Sequence, residues 1–125
     1  MNIRLEDGNI RLRLNGMEAE TLLQTNQLTI TISWVTGADL KVSLILSADA
    51  ARPRVRAEAL DLLVVVPRSD FMELLEHYGR KEAAIRWVEF GSNGQNVNWS
   101  VDIDAFRSRS KQERSQPVVE ASDLL

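Results

Sequence analysis

The residues of this chain best equipped for chemistry are three arginines within its first fourteen positions. In "IRLEDGNIRLRL", residues 3 to 14, apolar and charged residues alternate on both sides of Asp7-Gly8, the pattern of a β-hairpin on a two-residue turn. That turn opposes Leu5 to Ile10, Arg4 to Arg11, Ile3 to Leu12 and Asn2 to Arg13, so every apolar residue meets an apolar one. A three-residue turn through Asn9 would set Arg4 against Leu12 and mix the faces. The pattern selects the Asp-Gly turn, with positive φ expected at both centres. Arg4, Arg11 and Arg13 then share one face. Guanidinium groups are planar forks that grip carboxylate or phosphate through paired hydrogen bonds. The face is therefore either a solvated exterior balanced by carboxylates, which is the first reading, or the wall of a small-anion site. Glu6 lies on the same face. Asp102 and Asp104, alternating with apolar residues near the other end, fit a cross-strand charge ladder with the arginines better than a paired-carboxylate or hard-cation site.

Other chemistry is thin. With no cysteine, disulfides, thiolate zinc sites and cysteine nucleophiles are excluded together. His77 is the single histidine. It falls off the stripe of Phe71, Leu74, Leu75 and Tyr78, near a helix C-terminus where an imidazolium meets the negative end of the dipole; an exposed helix-end histidine is expected, not a general base. One histidine without cysteine gives no basis for a transition-metal site. Gly91-Ser92-Asn93-Gly94 has the glycines of an anion-cradling loop, but a strand follows where a lysine and helix are required, so it reads as a hairpin loop. Trp34 and Trp99 sit on apolar strand faces, as core residues rather than base- or sugar-stacking platforms. No catalytic residue, metal or cofactor is expected, and the reading leans away from an enzyme.

These residues need elements to hold them. After the first hairpin, Asn15 with Glu18 three residues on makes a capping box for a short helix, with Met17, Leu22 and Leu23 as core contacts before Asn26. Leu28, Ile30, Ile32 and Trp34 alternate with Thr29, Thr31 and Ser33. Beyond a turn at residues 36–39, Leu40, Val42, Leu44 and Leu46 point inward and Lys41 and Ser43 outward. A weaker strand runs from Pro53 through Val55 and Ala57, with Arg54, Arg56 and Glu58 on its other side. The apolar run from Leu60 to Val66 reads as a central strand covered on both faces. Pro67 ends it. A second helix follows, with Asp70 and Glu73 in capping spacing and Gly79 as its stop. Strands over residues 85–90 and 97–105 close the domain.

The order ββαβββ(β)αββ, dominated by hairpins, predicts an α+β fold: a mainly antiparallel, strongly twisted sheet or partly closed barrel with both short helices on its apolar side. The 125 residues suffice for one domain, over 1–106, with 107–125 as a mobile tail lacking periodicity. No signal segment or membrane-length apolar run is visible, so a cytosolic protein is expected. Net charge is −3, and 12 of the 15 basic residues are arginine. A chain with that balance is not built to neutralise a nucleic-acid backbone.

The opening "MNIRLEDGNIRLRLNGMEAETL" resembles the start of a family of small bacterial proteins of unknown function that share the Ile-Arg hairpin, the Ile-Arg-Leu-Arg-Leu strand and a capped helix. "LDLLVVVPRSDF" and "VDIDAF" are similar in spacing, extending the likeness over residues 1–106. Ala105 separates Asp104 from Phe106 where members have Asp and Phe adjacent. The resemblance implies a domain type and no site. On these grounds a non-enzymatic binding or assembly module comes first, forming a homodimer or engaging another protein through an open sheet edge, here next to the weak strand at Arg54 to Glu58. An anion-binding or hydrolytic barrel in the manner of triphosphate tunnels, taking a phosphate ligand and lined by Arg4, Arg11 and Arg13, is the alternative.

Overall fold

The structure, a computed structural model, describes residues 1–77 and 83–104, with backbone alone for Trp34 and Val35. The expected tail over 107–125, and Tyr78 and Gly79, lie outside the described residues. Among the described residues eight strands and two helices follow the anticipated order: β1 Asn2–Glu6, β2 Asn9–Leu14, α1 Gly16–Thr25, β3 Gln27–Val35, β4 Ala38–Ser47, β5 Arg54–Glu58, β6 Asp61–Pro67, α2 Arg68–His77, β7 Ile85–Phe90 and β8 Asn96–Ile103. The first hairpin has the derived register, Arg4 opposite Arg11 and Leu5 opposite Ile10. Its turn differs in one respect: Gly8 has φ +79°, whereas Asp7 stays out of the left-handed region. Glycine absorbs the awkward conformation without steric cost, and aspartate is spared it.

The fold is α+β, but neither one mainly antiparallel sheet nor a barrel. Two four-stranded sheets form, sheet A in the order β1-β2-β8-β7 and sheet B in the order β3-β4-β6-β5. Each consists of two antiparallel hairpins joined by a parallel central pair, β2 with β8 and β4 with β6. Hairpins are written in local alternation, whereas the parallel pairs join strands that nothing local connects. Each helix spans both sheets instead of sitting on one: α1 touches β2, β3 and β4, and α2 touches β4, β6 and β7.

This arrangement is an internal repeat with exchanged strands. A shift of 52 residues carries β1 Asn2–Glu6 onto β5 Arg54–Glu58 and α1 Gly16–Thr25 onto α2 Arg68–His77. The hairpin register is preserved, Ile3 opposite Leu12 becoming Val55 opposite Val64. A shift of 57 carries the β3–β4 register onto β7–β8, Ile30 opposite Val42 becoming Trp87 opposite Trp99. Each ββαββ half thus gives its first hairpin to one sheet and its second to the other.

One core results. Leu12, Leu14, Val101 and Ile103 of sheet A meet Val42, Leu44, Val64 and Val66 of sheet B, with Ala19, Leu22, Phe71 and Leu74 from the helices. The capping box forms: Asn15 Oδ1 accepts from the Glu18 N–H and the Glu18 carboxylate from the Asn15 N–H. Met17, expected in the core, is 76% exposed; Ala19 and Leu22 face inward instead. Helix α2 starts two residues ahead of Asp70, directly after Pro67, so Asp70 lies in its first turn rather than at its cap. Arg68 there donates to the Leu23 carbonyl and to Asn26, setting a cation at the C-terminus of α1. Leu63 and Val65 of β6 are half-buried, so that strand is fully covered on one face only.

The edge strand β5, expected to be a poor cover for its longer neighbour, is itself capped at Val55 by a carboxylate. Glu89 Oε2 accepts from the Val55 N–H at 2.9 Å and from Trp87 Nε1 at 3.1 Å, tying the edge of sheet B to β7 of sheet A. Removing an ionised acceptor strands both donors, and hydrogen bonds to charged groups are worth about 1.5–3 kcal/mol. Glu89→Ala is therefore expected to cost about 2 kcal/mol in urea unfolding and to accelerate amide exchange at Val55; unchanged exchange there would deny the seal.

Candidate anion-binding face

The outer face of sheet A carries the predicted arginines. Parallel pairing of β2 with β8 continues the β1–β2 hairpin into a row across all four strands: Arg4 on β1, Arg11 on β2, Ser100 on β8 and Arg86 on β7. A second row sets Arg13 beside Asp102. Residues at these positions point away from the core because their neighbours Leu12, Leu14, Val101 and Ile103 point into it.

The charge ladder is present at its centre. Asp102, 8% exposed, accepts on Oδ2 from Arg11 Nε at 3.1 Å and Nη2 at 2.7 Å. Arg13 reaches both of its oxygens at 3.4 Å, and Arg13 Nη1 lies 3.9 Å from Asp104 Oδ2. Asp102 is thus the anchor of the face, held by two guanidinium groups that are each about one-third exposed.

Arg4 and Arg86 are placed differently. Among the described residues neither makes an ion pair or side-chain hydrogen bond, and both line an open cleft of about 660 Å³ over this face. Arg11, Ser100, Asn98 and Trp87 also line it. That volume falls within the roughly 300–1,000 Å³ typical of small-molecule sites. Trp87 stacks on Trp99, centroids 6.0 Å apart with planes at 17°, and Trp99 is buried at 6% exposure, as its apolar strand position predicts.

Of the three arginines singled out from sequence, the structure brings Arg4 and Arg11 to the cleft and turns Arg13 to Asp102 and Asp104. Arg86 was missed. Alternation places it on the polar side of β7, but only the β2–β8 pairing reveals that this side continues the Arg4–Arg11 face. His77 departs from its expected exposure: it is half-buried, with Nδ1 enclosed and without a hydrogen-bond partner among the described residues. The loop between β7 and β8 is a hairpin connection, closed by Gly91 and Gln95 with Gly94 at φ +82°.

Among the described residues no group of three or more His, Asp or Glu side chains is arranged to hold a metal ion, and no helix is long and apolar enough to cross a membrane. No protein-family model matches the chain, and no curated protein matches it.

Proposed function

We propose that the protein is a non-enzymatic binding module whose cleft over sheet A takes the anionic group of a small ligand, a carboxylate or a phosphate. The observation that carries this reading is the pair Arg4 and Arg86: two guanidinium groups on opposite edge strands of one sheet, both lining one cleft that Glu6 shares, neither in an ion pair among the described residues. A solvated exterior accounts for either residue alone. It does not account for both flanking a cleft with Arg11 and Ser100 between them. Arg11 and Arg13 are tied to Asp102, with Asp104 beside Arg13, and serve to hold the floor. The hydroxyl of Ser100 has Arg11 and Arg86 as row neighbours, which cannot take its proton, and Asp102 is occupied by guanidinium groups; this supports binding over catalysis. The chain's net charge of −3 favours a compact anion over a polyphosphate backbone.

The reading is tested by thermal unfolding at constant ionic strength with inorganic phosphate, tripolyphosphate or citrate. Ligand binding to the native state alone stabilises it by RT ln(1 + [L]/Kd), about 2.7 kcal/mol at a hundredfold excess over Kd. At least one anion is expected to raise Tm, and Arg86→Ala and Arg4→Ala are each expected to weaken that binding by about tenfold, the loss of one charge-assisted contact. Arg56, which the internal repeat maps onto Arg4 but which lies on sheet B beside Glu58, is the control; Arg56→Ala should leave the effect intact. A rise that survives Arg86→Ala and Arg4→Ala, or no rise at all, overturns the reading.

A further inference from the structure

Two open sheets have four edges, and those edges differ. Strand β1 spans five residues and carries Arg4 and Glu6; β7 spans six and carries Arg86 and Glu89; β5 spans five, carries Arg54, Arg56 and Glu58, and has its Val55 N–H closed by Glu89. Charge, brevity and capped donors are the devices that keep sheet edges from pairing with other chains. Strand β3 has none of them. It runs nine residues, Gln27–Val35, without a charged residue or proline. Its pairing with β4 is continuous from Gln27 to Ser33 before the first irregularity.

The internal repeat shows what is missing. The shift that carries β3 onto β7 sets Ile30 and Ile32 where the sealed seam has Trp87 and Glu89, and the shift that carries β1 onto β5 sets Ile3 where it has Val55. Among the described residues no hydrogen bond joins β1 to β3. On that flank Leu5, which the hairpin register directs to the core side, is 70% exposed, and Ile3, Ile30 and Ile32 are half-buried. Among the described residues this flank, with β3 uncharged, is thus without the carboxylate that closes its counterpart.

We propose that this flank binds a second copy of the chain, β3 pairing antiparallel with β3 of the partner so that sheet B continues across a twofold axis. A twofold at Ile30 opposes Thr29 to Thr31, Leu28 to Ile32 and Gln27 to Ser33. Polar residues meet polar ones and aliphatic residues meet aliphatic ones, with no charge to repel its own copy. This identity of the two surfaces selects a second copy over a foreign strand. An isologous contact of this kind uses up both edges and closes at two chains instead of growing a filament.

The test is the mass of the full chain by sedimentation and light scattering over a wide range of concentration, for wild type and for Thr31→Glu. Thr31 is exposed and lies opposite Lys41 on β4, so a glutamate there has a counter-ion within the monomer and places a charge only on the open edge. Wild type is expected as a dimer, and Thr31→Glu as a monomer with the wild-type circular dichroism. The chain has no cysteine, so Thr31→Cys takes a single nitroxide label, and dipolar broadening is expected at concentrations where the dimer forms. That readout stands even if Thr31→Glu fails to fold. A monomer at all concentrations, a dimer undisturbed by a folded Thr31→Glu, or a labelled dimer without broadening overturns the proposal. None of these outcomes depends on whether the cleft over sheet A binds an anion.

Discussion

Asp102→Ala is expected to lower the stability of the protein by about 2 kcal/mol, while Arg4→Ala, in the same face and the same hairpin, changes it by less than about 0.5 kcal/mol. The two guanidinium groups around Asp102 make four donor contacts to it. Breaking a buried ion pair by deleting one partner costs about 3–5 kcal/mol, because the charge left behind is desolvated and unmatched. Here Arg11 and Arg13 retain about one-third of their exposure, so water takes back part of that cost. Arg11→Ala is milder, since Arg13 still compensates Asp102. On sequence alone the substitutions at Arg4 and Arg11 are equivalent, two exposed like charges facing each other; the structure separates them by giving Arg11 a buried anion. Urea midpoints at unchanged slope measure the difference. Burial also limits screening, so the cost of Asp102→Ala should persist in high salt. Equal effects at Asp102 and Arg4 would show that the ladder contributes no more than surface charge.

What was legible in the sequence was whatever is settled between near neighbours. The Asp7-Gly8 register, the Asn15–Glu18 box and the β3 and β4 faces follow from alternation and turn chemistry within a dozen residues. The parallel pairs that make the sheets do not: Asn9 pairs with Asn98 and Lys41 with Asp61, and no local pattern names either partner. Without the first of these pairs the Arg4–Arg11 face appears half its real width, which is why Arg86 escaped notice.

The repeat was hidden for a related reason. Its two copies keep backbone roles while exchanging chemistry. Gly8 supplies the positive φ of the first turn, and in the second Ala59, at φ +53°, takes that task one position earlier. Arg11 and Arg13 of sheet A correspond to Leu63 and Val65 of sheet B, the substitution that made β6 read as a strand buried on both sides. Arginines stand on one copy's outer face and aliphatic residues on the other's.

The helices show the same divergence within the core, and there it has the largest energetic consequence. The shift of 52 residues matches Leu22 to Leu74, both buried, and Ala19 to Phe71, at 3% and 0% exposure. A methyl group in α1 thus corresponds to a phenyl ring in α2, and both lie in the one core. Truncating a fully buried phenylalanine removes its transfer free energy and leaves a cavity that the surroundings only partly collapse; the usual cost is about 3–5 kcal/mol. Against a total stability of about 5–15 kcal/mol for a domain of this size, Phe71→Ala is expected to lower Tm by on the order of 15 °C. Met72→Ala, one residue along and 45% exposed, changes it by no more than about 0.5 kcal/mol. The contrast separates packing from helix propensity, because alanine is the better helix former at both positions. Comparable small losses at the two positions would mean that α2 is not seated on the shared core, and the packing of the two sheets beneath the Arg4–Arg86 face would lose its support.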